Sequence, residues 1–470
     1  MISTLPNTMI RTLTVALGCF VMAACLAAPA VAAAASVPGE LIVGYEAGTS
    51  SMEQDRIATA AGATPEEQVA PNSQVVQIRP GESRADAAAR LRATRGVAYV
   101  VGNRIARAAG APTWMPNDIG RTGRAAGGWL TSQWNFSSSS GVSATSAWAN
   151  VARAGRPGGS GVIIAVIDSG VAYTNWGQFK RSPDFANTRF AHPYDFVAHN
   201  RYPLDRNGHG THVAGTIAES TNNQIFMTGL AWGATIIPLR VLDALGNGDS
   251  AAIARAIRYA VHPCKSSESC RGAQVINLSI EFDTETTARD IPDVVSAINY
   301  ANSKGVLVVA AAGNDANNSV SYPARTAAAM AVGAVTEHGC LADYSNHGAG
   351  LDIVAPGGGG DRAIDGDPNC RPNDPPGRDI VQLGLAGTPR GSALIPYRFE
   401  LDAEDGTSMA TPHVSAAAAL VIASGAAGRN PTPAQIRAKL EASATRRSQS
   451  TYYGAGIVNA GRATEATPAG

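Results

Sequence analysis

Two regimes of hydrophobic patterning divide this chain of 470 residues. Between about residues 37 and 103, short apolar runs alternate with segments of helical spacing. GELIVGY, QVVQIRP and VAYVVGN predict strands; SMEQDRIATAAG and ADAAARLRATRG predict helices, the second closed by Gly96. That order describes a small α+β unit of roughly 65 residues, too small to be robust alone. From Gln133 onward the runs lengthen. VIIAVI (162–167), TIIPLRVL (235–242), QVINLSI (274–280), VLVVAAA (306–312) and AMAVGAV (329–335) are continuously apolar, as strands buried on both faces of a parallel sheet require. SAAIARAIRYAV and DVVSAINYANSKG between them carry helical spacing, with Gly305 ending the latter. Alternating strands and helices predict an α/β fold: a doubly wound, mainly parallel sheet with helices on both faces and right-handed crossovers.

Between the regimes, an Ala-, Gly-, Pro- and Arg-rich stretch holds Arg107, Arg121 and Arg124 and reads as an exposed, cleavable linker. Arg11, an apolar run through Leu26 and an A-x-A site at Ala30 and Ala32 predict a secretory signal peptide. Pro29 and the weakly apolar alanines disfavour the alternative, an uncleaved membrane anchor. We therefore expect a signal peptide over 1–35, a small domain over 36–105, a linker over 106–130 and the main domain over 131–470. A Gly-, Pro- and Asp-rich segment at about 357–405 reads as a long surface insertion.

Charge narrows the partners. Thirty-seven basic residues balance 37 acidic ones, so no global field draws in nucleic acid or anionic lipid. Export removes Cys19 and Cys25 and leaves four cysteines in an oxidising compartment. Three pairings are open; closeness in sequence favours Cys264–Cys270 and Cys340–Cys370.

Four motifs carry the candidate chemistry. Asp168 ends an apolar strand in VIDSG, where α/β sheets build their sites, although a lone Asp there is commonly just a cap. His209 and His212 open a helix in NGHGTHVAGT; the Glu of a zinc-protease H-E-x-x-H is absent, so His209 reads as a base and His212 as a packed residue. Ser408 begins a helix in GTSMATPHVS, where a plain cap competes with a nucleophile beside backbone N–H groups. Asn314, after VLVVAAAG, can donate its amide to an oxyanion.

In this order and with these flanks, the chain resembles the subtilisin family over roughly residues 133–465. The resemblance implies a secreted or periplasmic bacterial serine endopeptidase, expected to act as a monomer without a stable membrane anchor. It implies that Asp168 orients His209, that His209 takes the proton of Ser408, and that Ser408 forms an acyl-enzyme. Asn314 would bind the oxyanion. The small domain is then a ferredoxin-like prodomain that inhibits its own enzyme and is self-cleaved. Peptide substrates would pair with Gly246-Asn247-Gly248 and Ser279-Ile280-Glu281, beside a pocket of Ala312, Gly313 and Ser321. Glu281 and Phe282 replace paired glycines of the family pattern. Glu281 and Asp315 would favour a basic substrate residue, whereas the family pocket favours an apolar or aromatic one; both stay open. A structural Ca²⁺ is implied on Asn223, the carbonyls of Ile225 and Met227, and Asp184 and Asp118. Phe226 stands where that loop has a glycine. Interception of the acyl-enzyme by an amine, or a non-catalytic binding role, are the competing functions.

Overall fold

The computed structural model describes residues 36–79, 81–104, 115–121, 127–137, 139–264, 270–386 and 398–466. The expected signal peptide lies outside the described residues. The chain divides into two compact units, 1–111 and 112–470.

The first unit holds strands β1 (Ser36–Tyr45), β2 (Thr64–Ala70), β3 (Ser73–Gln77) and β4 (Val97–Arg104), with helices α1 (Ser51–Ala60) and α2 (Arg84–Arg92). Its antiparallel sheet runs β2-β3-β1-β4, a ferredoxin-like βαββαβ arrangement. Ser50 and Ser83 cap the helices by accepting from the N–H groups of Glu53 and Asp86. Leu41, Val43, Val76, Ala88, Leu91 and Val100 form the core. The alternation read from the sequence omits β2. TPEEQVA is polar and mostly exposed because it is an edge strand with an irregular register, and so carries no apolar face to detect.

The second unit begins within the stretch expected to be linker. The Asp118 carboxylate accepts from the N–H groups of Asn222 and Asn223, and Trp129 is fully buried. After helix α3 (Ala144–Arg153) come β5 (Ile163–Asp168), β6 (Arg189–Phe190), β7 (Tyr194–Asp195), α4 (His209–Ala218), β8 (Thr235–Arg240), α5 (Ser250–Val261) and β9 (Val275–Leu278). They are followed by α6 (Pro292–Ser303), β10 (Leu307–Ala311), β11 (Ala329–Val335), β12 (Ile353–Pro356), β13 (Ile380–Leu385), β14 (Phe399–Glu404), α7 (Thr407–Ser424) and α8 (Pro433–Ser443). The eight-stranded sheet runs β12-β11-β10-β9-β5-β8-β6, with β7 also on β8, and every pairing is parallel.

Period-two alternation explains the continuous apolar runs. Ile164 and Val166 face the core layer that includes α3, α4 and α7, while Ala165 and Ile167 face the layer of α5 and α6. From β5 the chain proceeds through β6 and β7 to β8 on one side, then returns to β9 on the other. That reversal leaves a crevice at the carboxyl ends of β5 and β9, where open α/β sheets place ligands. Both favoured disulfides are formed: Cys264–Cys270 and Cys340–Cys370. The 357–405 segment is not merely superficial. It contains the antiparallel hairpin β13–β14, and all six residues of β13 are buried.

Candidate active site

Asp168 is the last residue of β5 and is fully buried. Its Oδ1 accepts from Ser169 N at 2.7 Å and lies 2.7 Å from Nδ1 of His209. His209 opens α4, so the strand end and the helix start meet at this contact. A Cβ on Gly210 would sit 2.2 Å from the Gly170 carbonyl, which explains a glycine immediately after the histidine. Burial lowers the proton affinity of His209, but the Asp168 carboxylate and its hydrogen bond outweigh it, and Glu404 and Asp205 add to them; the imidazole pKa rises to about 9.

A residue not singled out from the sequence builds this helix start. Asp205 is fully buried, and its Oδ1 accepts from Ser169 Oγ, Asn207 N and Gly208 N, each at 2.9 Å. Its Oδ2 accepts from Thr211 N at 2.9 Å and Thr211 Oγ1 at 2.6 Å. Asn207 Oδ1 takes the N–H of His209, and Ser169 Oγ takes that of Gly210. The first-turn donors that a helix leaves open are therefore satisfied without a capping side chain at Gly208. His212 is buried with Nε2 at 3.0 Å from the Ile380 carbonyl of β13, a packing role as expected.

Ser408 is the second residue of α7, so its N–H belongs to the first turn, which has no intrahelical acceptor. Pro412 has no N–H to donate to the carbonyl four residues back, and Ser279 Oγ donates to that Ser408 oxygen instead, at 2.8 Å. Ser408 Oγ in turn donates to the Ser279 carbonyl at 3.3 Å. The nucleophile candidate is thus tied to the end of β9. His209 and Ser408 line one open cleft of about 780 Å³.

Asn314, beyond β10, accepts at Oδ1 from Thr407 N (2.8 Å) and Thr407 Oγ1 (3.0 Å). Thr407, also missed from the sequence, thereby fixes the amide plane beside the serine. Glu281 accepts from both N–H positions of Asn314, at 3.0 and 3.1 Å. Burial raises the proton affinity of Glu281; the Asn314 bonds partly offset it.

Of the predicted substrate residues, Gly246, Ser279, Ile280 and Glu281 line the same cleft as His209 and Ser408. Asn247 and Gly248 line a separate cavity with Asp243 and Arg255. Ala312, Gly313 and Ser321 adjoin one another, the Ser321 N–H donating to Ala312 O at 2.8 Å. A Cβ at Gly313 would meet Asn346 Nδ2 at 2.2 Å, Glu281 Oε2 at 2.6 Å and Ser321 Oγ at 2.8 Å, so these side chains close over the glycine and a larger residue would displace them. Asp315 is exposed.

The residues expected at a cation also converge. Asn223 Nδ2 donates to Asp184 Oδ1 at 2.7 Å, and Asp118 accepts from Asn223 N. Asp118 and Asp184 are fully buried without an ion pair among the described residues. Burial pushes the Asp184 pKa up to about 7 despite the Asn223 and Met227 bonds, and Asp118 adds to the rise. Glu219 rises for the same reasons, burial and then Asp184. An oxygen-rich set that resists ionisation without a counter-charge fits a hard cation.

This sheet and site define a serine peptidase of the subtilisin type. The Subtilase family model matches residues 159–456 and the fervidolysin N-terminal prodomain model matches 26–103. The chain belongs to the Subtilase family. It is 38% identical over 306 residues to Subtilisin Savinase of Lederbergia lenta, covering 65% of this chain and 91% of that protein. Likewise it is 38% identical over 306 residues to an alkaline protease of Alkalihalobacillus alcalophilus, covering 65% of each. A solved structure of proteases from Pseudoalteromonas arctica PAMC 21717 matches with a TM-score of 0.58 and 28% identity, over 75% of this chain and 99% of that one.

Proposed function

We propose that this serine protease is exported by a signal peptide over residues 1–35 and made as a zymogen. Its prodomain, 36–105, inhibits the enzyme in its own chain and is removed by self-cleavage within 106–130. In the mature endopeptidase, Asp168 holds the imidazole of His209 through Nδ1, leaving Nε2 for the Ser408 hydroxyl. Ser408 Oγ attacks the peptide carbonyl as His209 accepts its proton, and the oxyanion is received by Asn314 Nδ2 and the Ser408 N–H. His209 then protonates the leaving amine, and water hydrolyses the acyl-enzyme by the same steps in reverse. Gly246–Gly248 and Ser279–Glu281 pair with the extended substrate. Asp118, Asp184 and Asn223, with the carbonyls of Ile225 and Met227, hold a structural Ca²⁺ that ties residues near 118 to the loop after α4.

The observation that carries this reading is the 2.7 Å contact of His209 Nδ1 with a buried Asp168, in the cleft that Ser408 also lines. N-terminal sequencing of the secreted wild type beside Ser408→Ala tests it, together with fluorophosphonate labelling. A shortened, labelled wild type is expected, beside a variant that keeps its prodomain and whose turnover is lower by about 10⁶. Appreciable peptidase activity in Ser408→Ala would overturn the mechanism. Among the described residues no helix is long and apolar enough to cross a membrane.

A further inference from the structure

The cleft has a charge that the chain as a whole lacks. Among the described residues that line it, five of fifteen are carboxylates and none is Lys or Arg, in a chain whose charges balance. The cavity is a ligand site independently of those acids, because His209 and Ser408 share it. Four of the five come from one wall: Glu400, Asp402 and Glu404 on β14, then Asp405. Alternation along a strand places Glu400, Asp402 and Glu404 on one face. Their spacing, about 7 Å between alternate residues, equals that of alternate side chains in an extended peptide.

The hairpin is held so that this face stays on the cleft. β13 is buried throughout, its Ile380 carbonyl lies 3.0 Å from His212 Nε2, and Leu383 N donates to Glu219 Oε1 at 2.9 Å. β13 thus anchors on α4 while β14, paired with it residue for residue, displays the acids. The fifth carboxylate, Glu281, comes from beyond β9 and lies against Gly313. No ion pair among the described residues engages any of the five. Like charges crowded in a cleft without counter-ions among the described residues raise one another's energy and focus a negative potential there. Their field reaches the catalytic imidazole, since Glu404 is one of the groups that raise the pKa of His209.

We propose that this cleft selects polybasic peptide segments, in which Lys or Arg side chains neutralise Glu281 and the carboxylate row of β14 on a substrate cut at Ser408. The proposal rests on the peptidase reading above and adds the substrate class. A basic side chain in the cleft pairs with Glu281. Further basic residues, at alternate positions, meet Glu400, Asp402 and Glu404. An apolar peptide leaves those charges unpaired and gains no such contact.

The test uses the full chain, secreted and matured, on matched fluorogenic peptides with Arg, Ala or Glu around one cleavable bond. The basic peptide is expected to show at least roughly tenfold higher kcat/KM than the alanine peptide at low salt, from two or more surface pairs. That advantage should shrink between about 0.01 M and 1 M salt, across which the Debye length contracts from roughly 30 to 3 Å. Glu400→Gln, Asp402→Asn and Glu404→Gln should each lower the basic-to-alanine ratio roughly two- to fivefold. Fluorophosphonate labelling rates of the variants check that Ser408 is still assembled. Equal cleavage of all three peptides by the wild type, or a ratio unmoved in the labelled triple variant, would overturn the proposal while leaving the peptidase reading intact. Failure of the wild type both to label and to cleave would remove the peptidase reading, and this inference with it.

Discussion

Glu281 grips Asn314 by two hydrogen bonds, one from the backbone N–H at 3.0 Å and one from Nδ2 at 3.1 Å. A carboxylate thus sits against the donor proposed for the oxyanion. Two effects compete there. The bonds orient the amide, while the charge opposes a second negative charge on the substrate oxygen. Thr407 already holds Oδ1 with two bonds, so orientation survives without Glu281. Two full charges about 5 Å apart at an effective dielectric of about 20 repel by about 3 kcal/mol, which makes repulsion the larger effect. Glu281→Gln is therefore expected to raise kcat on neutral substrates by up to roughly tenfold and to lower it on basic ones, whose charge compensates Glu281. Asn314→Ala should lose about 10²–10³ in kcat on both, by analogy with loss of one such donor in a subtilisin. Steady-state kinetics on a paired Phe and Arg substrate set decides; a fall on both with Glu281→Gln would make orientation its role.

On the proposed mechanism, the His209–Asp168 pair sets the acid limb of the pH profile. A base must be unprotonated to take the Ser408 proton, so kcat/KM should rise with pH and level off as the imidazole, with a pKa raised to about 9, gives up its proton. Stability runs the other way. A histidine whose folded pKa exceeds its unfolded value contributes fully below about 6.5, and that contribution is lost as pH rises through the folded pKa. Activity and this part of the stability therefore cross between about 6.5 and 9. Glu404→Gln removes one of the charges that raise the pKa and should move the acid limb to lower pH. A limb unmoved in that variant, or one centred below 6.5, would contradict this assignment.

Asp205 is a positioning residue with a distinct signature. Asn at this position substitutes a donor for one oxygen and sets it against N–H groups of Gly208 or Thr211, leaving buried donors unsatisfied at about 1–3 kcal/mol each. Asp205→Asn is expected to cost roughly 2–4 kcal/mol of stability and to reduce kcat more than it raises KM. Because the Asp205 charge also helps raise the His209 pKa, the acid limb should shift to lower pH. A variant that is merely less stable would leave that limb in place.

How much of this could be read beforehand follows from where the signal lies. β5, β8, β9, β10 and β11 were legible because strands buried on both faces leave unbroken apolar runs. β6 and β7 have only two residues each, and β12 ends in Pro356, so none builds a pattern. IVQLGL of β13 is apolar, but the Gly-, Pro- and Asp-rich composition around it masks the run. Asp168, His209, Ser408 and Asn314 each sit at an element end with turn residues beside them, and they lie together at the carboxyl ends of the interior strands β5, β9 and β10. Thr407 could not be read the same way, because its role depends on Asn314, far off in sequence, whereas Asp205 bonds mainly to Asn207, Gly208 and Thr211, and an acid just ahead of a helix start was a local signal passed over. Glu281 did leave a signal, as a carboxylate where the family pattern has a glycine.

Cation removal tests the loop after α4. Asp118 and Asp184 are buried with proton affinities raised by burial, so without a counter-charge this region favours protonation or opening over two bare carboxylates. A bound Ca²⁺ at about 100 times its dissociation constant would add about 2.7 kcal/mol. That corresponds to roughly 4 °C in Tm for a unit of this size. Chelation should produce this drop in the mature enzyme at neutral pH, and Ca²⁺, unlike Mg²⁺, should restore it. Asp184→Asn should lower the Tm and no longer respond to chelator, because its oxygen set has lost a charge. Phe226 occupies the expected glycine position, yet its carbonyl accepts from Gly120 N at 2.6 Å, which ties the loop to the segment carrying Asp118. The larger side chain is thus accommodated without separating the two. A Tm indifferent to chelator in the wild type would assign Asp118 and Asp184 to hydrogen bonding alone, and Asp184→Asn should then destabilise only by setting its amide against the donor of Asn223 or Met227.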